Sequence, residues 1–363
     1  MAWIPLNINQ NKRLFGLDVI RSVAILCVIY GHGLPLFYTH INSFFFNATF
    51  VHSGFYGVEL FFVLSGFLIG TIFIRENILK QKLDFKSILA FWKRRWYRTL
   101  PNYFFILILY VIVFLSFGDE LPAGGTLVRY LFFMQNFISV NPQFFASSWS
   151  LSVEEWFYLL LPFIFIIGLF FTKQRYLFWI IIAFILGINL FRYIVLYYNP
   201  GRQVHVQVLF KLDSIMFGVL LAHIQISFNI FNKTRIKMLF IAGIILFLAT
   251  YYFCLNKQKL LVLPFVSLSF ALMLPYFYHL KIKNKFVQLF FTYISTISYS
   301  LYLTHLLIYD YIIKKLFHVT GSSSALLAFS VYLFLSFLIS TLFYKYWELP
   351  FMNLRDKAPM HKI

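Results

Sequence analysis

Ten apolar segments recur along the chain, at about 15–37, 54–74, 99–117, 149–171, 176–197, 207–226, 236–255, 260–280, 286–309 and 323–346. Each runs close to 20 residues, which at about 1.5 Å rise per residue is enough to cross a hydrocarbon layer of about 30 Å. The polar stretches between them are short, and none could form a separate soluble domain. The stretch 127–138 is apolar too but too short to cross, and reads as an interfacial or re-entrant piece. The pattern therefore predicts an all-α fold, a polytopic membrane bundle of about ten transmembrane helices. It forms a single membrane domain over 1–363 with its core at about 15–352. No internal repeat is visible, which weighs against an inverted-repeat transporter. The first apolar segment follows Lys12 and Arg13, as the core of a signal peptide would. It holds Asp18 and Arg21, however, and lacks a small-residue cleavage pattern, so it reads as a retained first helix.

Composition sharpens this picture. The chain is 61% hydrophobic and only 12% charged, against about half and about a quarter for a soluble domain. The net charge of +19 would suit nucleic acid if it formed a stripe with interleaved aromatics. Instead the basic residues cluster in short loops, which excludes that class and leaves membrane topology as the cause. With the N-terminus in the cytoplasm, 21 of the 31 basic residues fall on the cytoplasmic side. They are Lys12 and Arg13; Arg75, Lys80, Lys82, Lys86, Lys93, Arg94, Arg95 and Arg98; Lys173 and Arg175; Lys233, Arg235 and Lys237; Lys281, Lys283 and Lys285; Arg355, Lys357 and Lys362. Arg129, Arg202, Lys257, Lys259, Lys314 and Lys315 fall outside. The bias holds at every loop pair, so both termini are expected on the cytoplasmic face. Cys27 and Cys254 lie in apolar segments, too few and too far apart for a disulfide framework, and read as packing residues.

Ionisable groups inside apolar segments are expensive and so mark candidate sites. They are Asp18, Arg21, His32, Glu59, Glu154, Glu155, Asp213 and His305, with Glu348 closing the last segment. Arg21 and His32 are eleven residues apart, close to three helical turns, so they share one face with a rise of about 16 Å between them. A cation low and an imidazole high on one stripe suit a molecule threaded between them, its anionic end at the cytoplasmic side and its reactive end deep. A snorkelling arginine and a hydrogen-bonded histidine would give the same spacing. Lys93, Arg94, Arg95 and Arg98 precede Leu100-Pro101. Arg95 and Arg98 share a helix face and carry the forked guanidinium that suits phosphate; a positive-inside anchor is the alternative. In Ser148-Trp149-Ser150-Leu151-Ser152-Val153-Glu154-Glu155, Ser150 or Ser152 reads as a helix cap with an acid in the first turn. The functional reading is a carboxylate at the outer surface that orients a histidine or binds a sugar hydroxyl, beside a tryptophan that stacks on sugar or sits at the interface. Asp213 reads as a partner of Lys211 or Arg192. His305 reads as a satisfied buried histidine. His40, His52, His205, His223, His279, His318 and His361 read as loop or interface histidines, and no pair has metal-ligand spacing.

These residues fall into an order that resembles the acyltransferase family 3 membrane proteins, from Leu17 to about Met352. The R-x10-H pattern is Arg21 to His32. The glycine-acid-aromatic block is Gly57-Val58-Glu59-Leu60-Phe61-Phe62, with Glu59 where the family often has Asp. The paired arginines are Arg95-Trp96-Tyr97-Arg98. Trp149 to Glu154, a Leu-Asp-Ser segment around Asp213, Ile297 to His305, and Trp347-Glu348-Leu349-Pro350 complete the set. The resemblance implies an integral-membrane O-acyltransferase of the bacterial inner membrane. Its donor would be a cytoplasmic acyl-coenzyme A, usually acetyl-CoA, and its acceptor a glycan or lipid-linked sugar on the far side, with membrane lipids around it and no metal. Lipopolysaccharide O-antigen is the acceptor expected from the make-up of that family; peptidoglycan, exopolysaccharide or a small molecule are alternatives. His32 would be the general base or a transient acyl carrier, and Glu154 would orient His32 or the acceptor. Arg21, Arg95 and Arg98 would hold the donor phosphates, and Glu59, Trp149, Glu155 and Asp213 would line the acceptor side. The C-terminal esterase-like domain of some members is expected to be lacking in a chain that stops at 363. A flippase for a lipid-linked sugar is the rival from another class. The orientation is directly testable. A reporter active only outside the cytoplasm is expected to work when fused after Glu120 and to be silent after Lys283; the opposite pattern would invert the topology.

Overall fold

The computed structural model describes residues 14–37, 52–137, 144–228, 232–255 and 259–357. Lys12, Arg13, Lys257, Lys362, His40, His361 and the end of the 127–138 stretch lie outside the described residues. The described residues are 84% helical, with no strand among them. The main helices are α1 (Phe15–Gly33), α2 (Ser53–Phe73), α3 (Phe85–Ser116), α4 (Gly124–Leu131), α5 (Ser148–Phe171) and α6 (Leu177–Tyr198). They continue with α7 (Leu212–Phe228), α8 (Lys233–Leu255), α9 (Lys259–Tyr278), α10 (Lys285–Ile308), α11 (Ser322–Phe343) and α12 (Leu349–Lys357). Eight helical stretches are long and apolar enough to cross a membrane, and two shorter apolar helices, Leu212–Phe228 and Val262–Tyr278, complete the ten segments read from the sequence.

Four helices depart from the apolar pattern at a boundary. Helix α3 begins at Phe85 rather than near 99, so the arginine cluster lies within a helix. Asp84 caps it, accepting a hydrogen bond from the Ser87 N–H at 3.3 Å. Bonding from Ser87, its side chain first, holds the Asp84 carboxyl below the usual range. Helix α4 is shorter than the 127–138 stretch, because Phe133 turns back at φ 56°. The helices α10 and α11 both run on into wide π turns, Tyr309–Ile313 and Tyr344–Glu348, a distortion often found where side chains must be re-aimed. His223, read as a loop or interface histidine, is instead buried within α7, where its Nδ1 lies 3.2 Å from Ser227 Oγ.

The chain divides into two compact units. One comprises Val58–Trp96 and Leu107–Tyr276. At its centre α2 crosses α7 with backbone against backbone. A Cβ on Gly66 would lie 1.8 Å from the Ile215 carbonyl oxygen, and one on Gly218 only 2.1 Å from that of Val63. Small residues at such a crossing let two helices approach as apolar side chains would not. Two ion pairs, both completely buried, flank the crossing: Lys211 with Glu59, and Arg192 Nη2 with Asp213 Oδ1 at 2.6 Å. Ser267 Oγ donates to the second Glu59 oxygen at 2.9 Å. Asn189 donates to the second Asp213 oxygen at 3.2 Å, and Arg192 also donates to the carbonyls of Asn189's side chain and of Phe210. Each carboxylate oxygen thus has a donor, the condition under which a buried pair is tolerated.

The other unit comprises Met1–Gly57, Tyr97–Ile106 and Phe277–Ile363. Its core is α1 packed along α10, with the two helices parallel: Asp18 and Arg21 meet Ser295, while His32 meets His305. Gly16 lets the start of α1 meet the end of α9 closely, since a Cβ there would lie 1.6 Å from the Phe277 carbonyl oxygen.

The buried pairing of Arg192 with Asp213 is open to test by melting. Asp213→Leu leaves Arg192 as an uncompensated buried cation and is expected to cost about 3–5 kcal/mol. The double change Arg192→Leu with Asp213→Leu is expected to recover most of that loss. Thermal unfolding in detergent measures both, and a single variant that melts with the wild type would show that the pair bears no stability.

Candidate active site

The Arg21–His32 stripe is present on α1, and the neighbouring α10 supplies a partner at each end. At the lower end Ser295 Oγ donates to Asp18 Oδ1 at 2.6 Å and accepts from Arg21 Nη1 at 3.2 Å. Arg21 and Asp18 are 3.7 Å apart, and the arginine side chain keeps 18% of its surface exposed. Asp18 and Ser295 together offset the Arg21 charge, and the arginine side chain as a whole stays partly exposed. At the upper end the rings of His32 and His305 lie 5.0 Å apart between centroids, with His305 Nε2 3.1 Å from His32 Nδ1. His305 is fully buried, and its Nδ1 lies 3.0 Å from the Leu301 carbonyl oxygen one turn earlier. His32 is only half-buried.

Glycines make room for this ring. A Cβ on Gly31 would lie 2.7 Å from the Gly54 nitrogen and from Ser53 Oγ, and one on Gly33 would lie 2.5 Å from the Phe329 ring. The start of α2 therefore comes against the end of α1, with the Gly54 Cβ position 3.9 Å from His32 Cε1. Tyr332, buried on α11, donates to the Ile29 carbonyl at 3.3 Å and holds the end of α1 from the other side.

Arg98 belongs to the same unit. Pro101 lies inside α3 and has no N–H to continue the helical ladder. Side chains take up carbonyls around it: Asn102 donates to the Arg98 carbonyl at 3.1 Å, Tyr299 to that of Thr99 at 3.1 Å, and Trp347 to that of Pro101 at 3.3 Å. Trp347 and Glu348 lie on the π turn after α11. Glu348 is buried, accepts from Ser300 at 2.6 Å and interacts electrostatically with Arg98. The Trp-Glu-Leu-Pro block thus positions the helical turn that carries Arg98.

The remaining candidates lie in the other unit. Arg95, one turn before Arg98 on α3, stands over the Phe91 ring at 5.8 Å. Trp149 packs edge-on against Phe62 at 6.0 Å, and Phe62 in turn faces the Lys211 ammonium at 5.9 Å, so Trp149 and the Glu59–Lys211 pair form one cluster. Glu154 is half-buried and Glu155 buried, both in the second turn of α5. The expected cap is corrected here. The helix begins at Ser148 with no side-chain cap bond, and its first turn holds no acid. Ser150 and Ser152 lie inside it and bond back to the carbonyls of Ser147 and Ser148. Asn136 donates to the carbonyls of Trp149 and Val206 at 2.9 and 2.6 Å, and Gln135 to that of Ser148 at 3.2 Å, so a preceding turn secures this end of α5.

The sequence reading assigned Glu154 the role of orienting His32 or the acceptor and took His305 as a satisfied buried histidine without naming its partner, which the structure shows to be His32. The only cue was the cost of an intramembrane imidazole, which says that a partner exists and not which residue it is. It also left open whether Asp213 pairs with Lys211 or Arg192, which the geometry resolves in favour of Arg192.

With that geometry in view, comparison with known proteins gives a class. A family model described as an acyltransferase domain, acyltransferase 3, matches residues 14–345. The chain belongs to this family of multi-pass membrane proteins. It is 31% identical over 267 residues to the O-acetyltransferase OatA of Staphylococcus aureus, covering 68% of this chain and 41% of that protein. It is 30% identical over 180 residues to the Bacillus subtilis protein named "Putative peptidoglycan O-acetyltransferase YrhL", covering 46% and 26%. The chain thus matches less than half the length of these relatives. No solved structure matches it.

Packing at the His32 end yields a matched pair of variants. Gly31→Ala is expected to cost about 1–3 kcal/mol through overpacking. Gly187→Ala on α6, where nothing lies within 4 Å of the added Cβ, is expected to be neutral or stabilising by up to about 1 kcal/mol. Equal melting temperatures for the two would show that the α1–α2 approach is loose.

Proposed function

We propose that this protein transfers an acetyl group from acetyl-CoA to a hydroxyl of an extracytoplasmic glycan, with His32 as the general base. The observation that carries the reading is the α1 stripe, with an arginine retaining exposed surface about 16 Å below a half-buried histidine that has its own buried partner. Arg21 and Arg98, with Arg95 one turn away on the same helix, offer the guanidinium groups that suit the donor's phosphates. The extended arm of the donor would then run up the stripe to bring its thioester to His32.

In the reaction the acceptor oxygen attacks the thioester carbonyl as His32 takes the hydroxyl proton. The C–O bond forms, the C–S bond breaks, and the proton passes from His32 to the thiolate sulfur. The products are the O-acetyl ester and free coenzyme A thiol. Such base assistance contributes about 10²–10⁴-fold. A variant in which His32 itself carries the acetyl group for one step uses the same geometry. Glu154, Glu155 and Trp149 are the groups proposed for the acceptor. Glu59 and Asp213 have their oxygens engaged by Lys211, Ser267, Arg192 and Asn189, so their proposed part is to fix the helices around them and not to bind acceptor hydroxyls.

The expected acceptor is a cell-envelope glycan, with lipopolysaccharide O-antigen first. The name of the Bacillus subtilis relative favours peptidoglycan as the second reading. Mass spectrometry of separated envelope glycans decides between them, using a deletion strain complemented with wild type or His32→Ala. The expected outcome is an acetyl-sized increment that disappears on deletion and returns only with wild type; the fraction that carries it names the acceptor. If the increment persists without the protein, acetyl transfer to that glycan by this chain is wrong. If the amount of glycan falls instead, a flippase accounts for the charges.

A further inference from the structure

We propose that His305 is a positioning residue that fixes the tautomer of His32, leaving His32 Nε2 as the bare nitrogen that receives the proton. What that nitrogen does rests on the acyl-transfer reading above; which nitrogen is bare rests on hydrogen-bond donors alone.

The chain of reasoning starts at a backbone carbonyl. His305 Nδ1 lies 3.0 Å from the Leu301 carbonyl oxygen, which can only accept, so Nδ1 carries the hydrogen. His305 is fully buried, and burial penalises the doubly protonated ring. Its other nitrogen, Nε2, therefore presents a lone pair. That lone pair faces His32 Nδ1 at 3.1 Å. Two lone pairs at this distance would repel, so Nδ1 of His32 carries its hydrogen and donates it. A neutral imidazole has one N–H, and His32 Nε2 is left unprotonated.

Proton uptake strengthens the same arrangement. When Nε2 of His32 takes the hydroxyl proton, the positive charge sharpens the Nδ1–H bond to His305, whose own N–H is already committed to Leu301. The proton goes no further, because a backbone carbonyl does not accept it, and it is available on His32 for the departing sulfur. His305 thus takes the place that a carboxylate takes in a Ser-His-Asp triad. A neutral partner stabilises the cation less than a carboxylate does, but it needs no counter-charge of its own inside an apolar helix pair. Other polar groups also face the pair: the Val28 carbonyl, which draws a hydrogen bond from the His32 ring, Tyr302, whose ring is 5.9 Å from His305 and whose carbonyl draws a hydrogen bond from it, and Asp310, within electrostatic reach of His32.

The test uses the full-length protein in detergent with 15N-labelled histidine. His32 signals are assigned by their loss in His32→Gln. In wild type, His32 is expected with Nε2 bare and Nδ1 protonated, and His305→Leu is expected to release it to a mixture of tautomers. A wild-type His32 with Nδ1 bare, or an unchanged tautomer in His305→Leu, overturns the proposal. Kinetics give a second arm. His305→Gln keeps an acceptor oxygen for Nδ1–H and is expected to stay within about 10-fold of wild-type kcat, whereas His305→Leu is expected to lose roughly 10²-fold with KM for acetyl-CoA unchanged. Equal losses in the two variants, or none in His305→Leu, count against the role. If wild-type protein transfers no acetyl group to any glycan, the acyl-transfer reading fails, and the tautomer measurement still decides this one. It also stands should His305→Leu not fold, since its first comparison needs only wild type and His32→Gln.

Discussion

A charge inside an apolar helical bundle must be given a partner by the fold, and most of what is distinctive in this protein follows from that constraint. Water cannot solvate Glu59, Lys211, Arg192 or Asp213, each fully buried, so their stabilisation has to come from one another and from Ser267, Asn189 and the Phe210 carbonyl. Those contacts require helix backbones to approach within reach of short side chains. Glycines at 66 and 218 meet that requirement at the crossing of α2 and α7. The close backbones allowed by these glycines and the Glu59–Lys211 pair join the same two stretches of chain, while Arg192 and Asp213 tie α6 to α7.

The same constraint works differently around α1 and α10. Here partnering is partial by design of the geometry. Asp18 and Ser295 engage Arg21, whose side chain stays partly exposed, and His305 engages Nδ1 of a His32 that is itself only half-buried. A fully closed pair is structural; a half-closed one retains capacity to bind or to react. That contrast, more than the identity of any one residue, separates the chemistry proposed for the α1 stripe from the scaffolding around Asp213.

Distortions of helix are placed where they serve these contacts. Pro101 interrupts the ladder of α3 within the stretch that carries Arg98, and Tyr299 and Trp347 donate to neighbouring carbonyls of that stretch. The π turn at Tyr344–Glu348 turns Trp347 and Glu348 toward that stretch. The Trp-Glu-Leu-Pro motif thereby acquires a physical meaning as a brace.

The helical class, the ten apolar segments and the shared face of Arg21 and His32 were legible in the amino-acid order, because they depend on length, hydropathy and the 3.6-residue period, all local properties. The start of α3 was misjudged because a charged amphipathic turn has no apolar signature, although Asp84 offered a cap. The α5 cap was misassigned because Ser150 and Ser152 found carbonyls within their own helix. Which cation meets which carboxylate, and that His305 faces His32 from 273 positions away, could not be read from the sequence. Partner choice depends on which helices adjoin and in what register, and glycines and serines that look alike along the chain become distinct only when packing brings specific backbones together.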